Sequence, residues 1–156
     1  MAEEVLEIKV EPLTREAFKP YGEVVGEDGG ALLDLARGRP HVEILTTRYH
    51  PFEFTRMARH CRCTQTLIAM EGKPSLMAVA PADDPDDPAV SPDPSRIRAF
   101  LVEGSQGITL ARGTFHSGPY PLEAVTRFVN VELEGTNTDD FDSKEVRGYK
   151  KVRIVF

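Results

Sequence analysis

Short strand-forming segments separated by turn residues run through most of this chain, and they constrain its fold more than any other feature. Residues 42–49 and 52–57 alternate apolar and polar side chains, which is the period of a half-buried strand. Further strands are predicted at residues 65–70, 75–79, 97–102, 125–133 and 152–156. About eight strands at spacings of roughly ten residues are typical of a β-sandwich or a β-barrel.

Helical signals are scarce and lie near the N-terminus. Thr14 is a good N-cap residue and Glu16 places an acid in the first turn, but Pro20 and Gly22 stop the helix after it. A second short helix is predicted over residues 30–37. The fold class is therefore all-β, with one or two short N-terminal helices.

Length and charge limit the remaining possibilities. A chain of 156 residues is expected to form a single domain, residues 1–156, around one core. The net charge of −6, from 25 acidic and 19 basic side chains, argues against a nucleic-acid partner. The acidic N-terminus does not fit a signal peptide, and no apolar run approaches the roughly 18 residues of a membrane span. We expect no membrane partner and a cytoplasmic location.

Two local features contain residue types that can bind a metal, but neither has the ligand pattern of a known metal site. Residues 81–95 hold five prolines and five aspartates, and they lack the Gly and Glu framework of a calcium loop. We expect this segment to be a solvated excursion between two strands. Cys61 and Cys63 are too close in sequence for an ordinary disulfide, so two free thiols are expected. With His60 they could form a metal cluster, but a structural zinc site needs more ligands.

The spacing of two histidines resembles the cupin motifs. The first cupin motif is a His-x-His pair followed by a Glu and then a Gly; here Ala58, His60, Gln65 and Gly72 occupy that frame. The second motif places a Gly shortly before a third His, as Gly113 and His116 do. A cupin metal needs about three imidazoles and a carboxylate, so Ala58 and Gln65 leave the set incomplete. We expect no cofactor, although a divalent metal is a possible alternative.

A closer resemblance is to the ureidoglycolate lyase family, whose first motif reads approximately Glu-Arg-His, then Gln. The matching residues are Arg59, His60, Thr64, Gln65, residues 97–100, Gln106, Gly107, Arg112, His116 and the opening segment around Pro12 to Gly22. The chain departs from this family at Ala58, where Glu is usual, and at Ser117, where a second His is often found. The resemblance implies a cupin-like β-barrel of the double-stranded β-helix or jelly-roll type.

The resemblance also implies the cleavage of ureidoglycolate to glyoxylate and urea, in the degradation of allantoin. The hydroxyl of this carbinolamine must lose a proton while the departing nitrogen gains one, and imidazole suits both tasks. We assign His116 as the general base, His60 as the acid or the orienting donor to the leaving nitrogen, and Gln65 as the partner of the ureido group. Arg112 shares strand parity with His116 and is expected to face the interior and bind the substrate carboxylate. Arg59 has the opposite parity from His60 and is expected to face outward.

Two other classes of protein remain open. One is a metal-dependent cupin enzyme in which Cys61 or Glu71 replaces a lost ligand. The other is a non-catalytic cupin that binds a small carboxylate. Either histidine could also be a structural side chain, Gln65 a core amide and Arg112 a surface charge. His41 and His50 are not distinguished from loop residues, and a homodimer is expected because cupin-like chains commonly pair through sheet edges.

Overall fold

The computed structural model of the protein describes residues 4–156, which form two β-sheets and two short helices. The elements are β1 Glu4–Pro12, α1 Arg15–Phe18, β2 Gly22–Val25, β3 Pro40–Arg48, β4 Glu53–Phe54, β5 Arg56–Arg59, β6 Gln65–Ala69, β7 Ser75–Ala80, β8 Arg98–Val102, β9 Gly107–Leu110, β10 Phe115–Pro121, β11 Val125–Leu133, α2 Thr136–Asp139, β12 Asp142–Glu145 and β13 Tyr149–Val155. Single 3-10 turns lie at Met70–Gly72 and Pro94–Arg96.

One sheet has eight strands in the order β12-β5-β10-β7-β8-β1-β13-β4, and the other has five in the order β2-β9-β6-β11-β3. The pairings are antiparallel except for β1, which runs parallel to both β8 and β13. The curled sheets enclose an apolar core, and the all-β, cupin-like barrel predicted from the sequence is confirmed.

Strand β7 shows how the core is divided, because all six of its side chains are buried. Met77 and Val79 join a cluster that draws on both sheets, including Leu67 and Phe128. Leu76 and Ala78 have the opposite parity and join a second cluster on the other face of the large sheet. The continuous apolar run of β7 therefore reflects burial on both faces.

The two helix predictions had different outcomes. Helix α1 begins after Thr14, whose hydroxyl accepts a hydrogen bond from the amide of Ala17, as expected of an N-cap. The helix predicted over residues 30–37 was wrong, because that segment contains no helical element. Its backbone forms hydrogen bonds with distant residues instead. The amide of Asp34 donates to the hydroxyl of Thr64, and the carbonyl of Asp34 accepts from the amide of Thr64. The amide of Leu32 donates to the side chain of Glu23.

Most strand predictions hold, with one division. Residues 52–57 were predicted as one strand but form β4 and β5, which lie at different places in the large sheet. Residues 81–95 form the expected excursion between β7 and β8, and most of their side chains are at least partly exposed. None of the helices within residues 4–156 has the length and apolar character needed to cross a membrane.

Candidate active site

The two motif histidines lie side by side in the barrel. His60 directly follows β5 and is 5 % exposed, whereas His116 lies in β10 and is partly buried. Their ring centroids are 5.2 Å apart. Both rings and the side chain of Gln65 line one narrow pocket, together with Cys63, Leu110, Ala111 and Thr114. The structure thus brings together the three residues to which we assigned catalytic roles.

The hydrogen bonds of the two rings define which nitrogen of each carries a proton. His60 Nδ1 lies 2.7 Å from the carbonyl oxygen of Asp140, and His116 Nδ1 lies 3.3 Å from that of Thr114. A carbonyl oxygen only accepts, so each Nδ1 must be the donor. In a neutral ring Nε2 then carries a lone pair, and it is the atom left to exchange protons with a ligand.

The surroundings hold His116 in its neutral form. Burial, and secondly the neighbouring charge of His60, lower the pKa of His116 to about 3. A cation on one ring disfavours a cation on the other, because like charges at this distance repel each other. His116 is therefore kept in its neutral form, which is the form that can accept a proton.

Gln65 belongs to a polar chain that the sequence did not reveal. Its Nε2 donates to Asn130 Oδ1 at 3.1 Å, and Asn130 Nδ2 donates to Glu132 Oε1 at 3.1 Å and Glu43 Oε1 at 3.3 Å. Asn130 and Glu132 are fully buried, at 1 % and 2 % exposed. Burial raises the pKa of Glu132.

These missed residues carried a signal in strand β11. Its inward face presents Thr126, Phe128, Asn130 and Glu132, while Val129 and Val131 face outward and are only partly buried. Polar residues at buried positions of a regular alternation are the feature that points to a site. Glu132 also lines a second, acidic cleft with Glu43 and His41, and His41 lies within β3 rather than in a loop.

Arg112 does not lie where strand parity predicted. Residues 111–114 form a turn between β9 and β10, in which Gly113 adopts a φ of +79°. This turn breaks the parity between Arg112 and His116. The guanidinium donates to the carbonyl of Cys61 at 2.9 Å and to Asp86 at 3.1 Å, at the rim beside the cavity-lining residues Ala111 and Thr114.

Arg59 is buried, and the prediction that it faces outward was wrong. Its side chain is 1 % exposed and forms an ion pair with Asp142 at 2.9 Å. The other guanidinium nitrogens donate to the carbonyls of Ala82, Asp84 and Asp87. The side chain lies on the opposite face of β5 from Ala58, as parity indicates, and stacks on Phe115. It is buried because the excursion of residues 81–95 folds over that face and supplies polar partners.

The donor set around the cavity does not favour a metal. Burial raises the pKa of both Cys61 and Cys63, which disfavours thiolate ligands. Within residues 4–156 no three His, Cys, Asp or Glu side chains are grouped so that they could hold a metal ion. Gln65 stands where the cupin motif has its carboxylate ligand, and its Nε2 donates a hydrogen bond to Asn130. The residues present therefore do not fit a cupin metal centre.

A curled, two-sheet barrel with an imidazole pair and an amide facing one interior pocket is the architecture of a cupin-like protein. The family model described as ureidoglycolate lyase matches residues 31–154 of the chain. The chain belongs to the ureidoglycolate lyase family.

Curated relatives agree with that membership. A ureidoglycolate lyase of Burkholderia mallei (strain NCTC 10229) is 33% identical over 148 residues, covering 82% of this chain and 83% of the relative. Ureidoglycolate lyase 1 of Rhizobium meliloti (strain 1021) is 29% identical over 167 residues, with 88% and 90% covered. A ureidoglycolate lyase of Pseudomonas paraeruginosa is 28% identical over 158 residues, with 85% and 86% covered.

Proposed function

We propose that this protein cleaves ureidoglycolate to glyoxylate and urea by acid–base catalysis without a metal. The observation that carries the proposal is the imidazole pair: two rings 5.2 Å apart, each with Nδ1 bonded to a carbonyl, and one held neutral. The family supplies the substrate, since the relatives are named ureidoglycolate lyases.

The reaction requires two proton transfers and no further reactant. His116 Nε2 takes the proton of the substrate hydroxyl, and the oxygen forms the carbonyl bond of glyoxylate. The bond from this carbon to the ureido nitrogen breaks, and that nitrogen takes a proton from Nε2 of His60, which enters the step as an imidazolium, and leaves as urea. A proton then passes from His116 to His60 and restores the starting state. Each ring keeps its Nδ1 hydrogen bond throughout, so the two rings exchange roles without turning.

A base with such a low pKa is weak in the empty site, and the substrate itself offsets this weakness. The bound carboxylate brings a negative charge beside His116, which stabilises the imidazolium and raises its pKa. The base therefore becomes competent when the substrate is in place.

We propose Arg112 as the partner of the substrate carboxylate, although it lies at the rim and not in the cavity wall. Its present acidic partner, Asp86, is 79 % exposed, and such ion pairs contribute little. The guanidinium can exchange Asp86 for the carboxylate of a ligand while its bond to the Cys61 carbonyl holds it in position.

We also propose that the protein acts in the cytoplasm as a homodimer. Strand β3 lies at the edge of the five-stranded sheet, and its outward residues Val42 and Ile44 are 63 % and 51 % exposed. A long edge strand with exposed apolar side chains is prone to pair with another strand. In the homodimer, β3 of a second copy pairs with it in the antiparallel direction. Sedimentation should give a dimer for the wild type and a monomer for Ile44→Lys. A monomeric wild type contradicts this part of the proposal.

The assay that tests the proposed activity measures glyoxylate released from ureidoglycolate by the purified, chelator-treated protein. Ala58 favours one alternative, a non-catalytic cupin that binds a small carboxylate, because the family's usual Glu is missing beside the imidazole pair. That alternative predicts binding of a carboxylate without release of glyoxylate.

A further inference from the structure

Three buried side-chain oxygens of the described residues have no hydrogen-bond partner: Oε1 of Gln65, Oε2 of Glu132 and the hydroxyl of Thr126. The first two belong to one hydrogen-bonded chain, in residues that are 7 % and 2 % exposed. A buried acceptor without a donor costs free energy, and such groups in a native protein point to a missing partner.

The direction of the hydrogen bonds that link Gln65, Asn130 and Glu132 determines which of their polar atoms have no partner. Carboxylates accept only, so Asn130 must turn its Nδ2 toward Glu132 and Glu43 and its Oδ1 toward Gln65. Gln65 must then present Nε2 to Asn130, which leaves its Oε1 for a ligand. Both unpartnered atoms are therefore acceptors because of the network, and the assignment does not depend on an arbitrary choice of amide orientation.

The same chain connects two spaces. Gln65 lines the small cavity that holds the imidazole pair, and Glu132 lines the acidic cleft beyond it. Cys63 and Thr136, whose Sγ and Oγ1 are 3.6 Å apart, lie between the two, since Cys63 lines the first and Thr136 the second. A ligand that has its reacting carbon at the imidazoles and its far end at Glu132 has to pass this pair.

We propose that Gln65 and Glu132 form a subsite that binds the N–H groups of a ureido end, and that Glu132 is a specificity-determining residue. This inference rests on the proposed function and adds to it the recognition of the leaving group. A ureido end carries N–H donors on both of its nitrogens, one for each of the two acceptors that Asn130 links. A buried carboxylate makes a strong, charge-assisted bond to such a donor.

Two small acids that lack the reacting hydroxyl test the subsite by binding alone. N-carbamoylglycine keeps the carboxylate and the ureido end, whereas N-acetylglycine replaces the terminal amino group with a methyl group. In titration calorimetry we expect the wild-type protein to bind N-carbamoylglycine roughly tenfold or more tightly than N-acetylglycine, the effect of a hydrogen bond to a charged group.

Glu132→Gln is the decisive variant because it keeps the shape and removes the charge. Asn130 Nδ2 will donate to the oxygen of the new amide, so the amide nitrogen of residue 132 will face the ligand. Two N–H donors then face each other, and no hydrogen bond forms. We expect the preference for N-carbamoylglycine to disappear in Glu132→Gln and in Glu132→Leu, with N-acetylglycine affinity unchanged. The matched control Glu134→Gln alters an exposed acid two positions along and should keep the preference.

N-acetylglycine affinity and thermal unfolding show whether each variant is folded. If Glu132→Leu does not fold, Glu132→Gln alone tests the subsite. Equal affinities of the wild type for the two probes, no binding of either, or an unchanged preference in Glu132→Gln overturns the subsite. A wild type that releases no glyoxylate but loses its preference in Glu132→Gln contradicts the lyase proposal and supports the subsite.

Discussion

Ala58 of β5 lies directly opposite His116 of β10 in the antiparallel register, with Ser143 of β12 on its other side. Directly paired residues place their side chains on the same face, about 4.5–5.5 Å apart at Cβ. The position where the resembling family usually has Glu is therefore adjacent to the proposed base. With a methyl group there, no carboxylate from this position offsets the burial that lowers the pKa of His116 to about 3.

Restoring that carboxylate should improve the base. In Ala58→Glu the new charge stabilises the imidazolium of His116 and raises its pKa toward the working pH, so kcat at pH 7 should rise by roughly tenfold. Steady-state kinetics on ureidoglycolate measure the change. Ala58→Gln has the same shape without the charge and should not show the rise; an equal gain in both variants would mean that the charge is not the cause.

His116→Ala should lower kcat by roughly a hundredfold to ten-thousandfold, which is the usual contribution of general acid–base catalysis. Binding of N-carbamoylglycine should survive, because the carboxylate and ureido contacts lie on other residues. Kinetics and calorimetry on the same preparation separate the two effects. His50→Ala, an exposed histidine away from the cavity, serves as the control; a loss in both variants would remove the special role of His116.

Arg112 and Asp86 should act in opposite directions on substrate affinity. Arg112→Ala removes a charge-assisted bond to the substrate carboxylate and should raise KM with little change in kcat. Asp86→Asn frees the guanidinium from its acidic partner and should lower KM. Initial-rate measurements over a range of substrate concentrations give both values. An unchanged KM in both variants would place the carboxylate site elsewhere.

The buried, neutral state of His116 predicts how stability depends on pH. Since its folded-state pKa is about 3, well below 6.5, the unfolded chain binds one more proton between these values. The contribution of this group is therefore complete above pH 6.5, and the free energy of unfolding should fall by up to about 1.4 kcal/mol per pH unit below it.

Denaturant unfolding at pH 7, 6 and 5 measures this slope. It should be smaller in His116→Gln, which cannot take up the proton, and unchanged in His50→Gln. Equal slopes in the wild type and His116→Gln would show that His116 titrates alike in both states.

Sequence periodicity was enough to predict β3, β11 and helix α1, whose cap is local, but it did not predict β1, β2, β9, β10 or β12. It could not predict that residues 30–37 are extended, since their backbone partners lie far along the chain at Thr64 and Glu23. It also missed the break at Thr55 between β4 and β5. These features depend on tertiary pairing rather than on local preference.

In the candidate site too, the features set by local sequence were predicted and those set by tertiary contacts were not. The cupin frame brought His60, Gln65 and His116 to one cavity because motif spacing fixes which strand each residue occupies. Strand parity failed for Arg112, where a turn intervenes. For Arg59 parity could not reveal that residues 81–95 cover the outer face of β5 and bury the side chain. Asn130 and Glu132 were missed because an alternating strand does not itself indicate which of its faces is buried.

The most direct test of the account is the release of glyoxylate and urea from ureidoglycolate by the chelator-treated protein. We predict equal amounts of the two products, well above the buffer rate, with no further gain when divalent metals are added. Release indistinguishable from buffer, or activity that appears only with added metal, would contradict metal-free acid–base cleavage by the His60 and His116 pair.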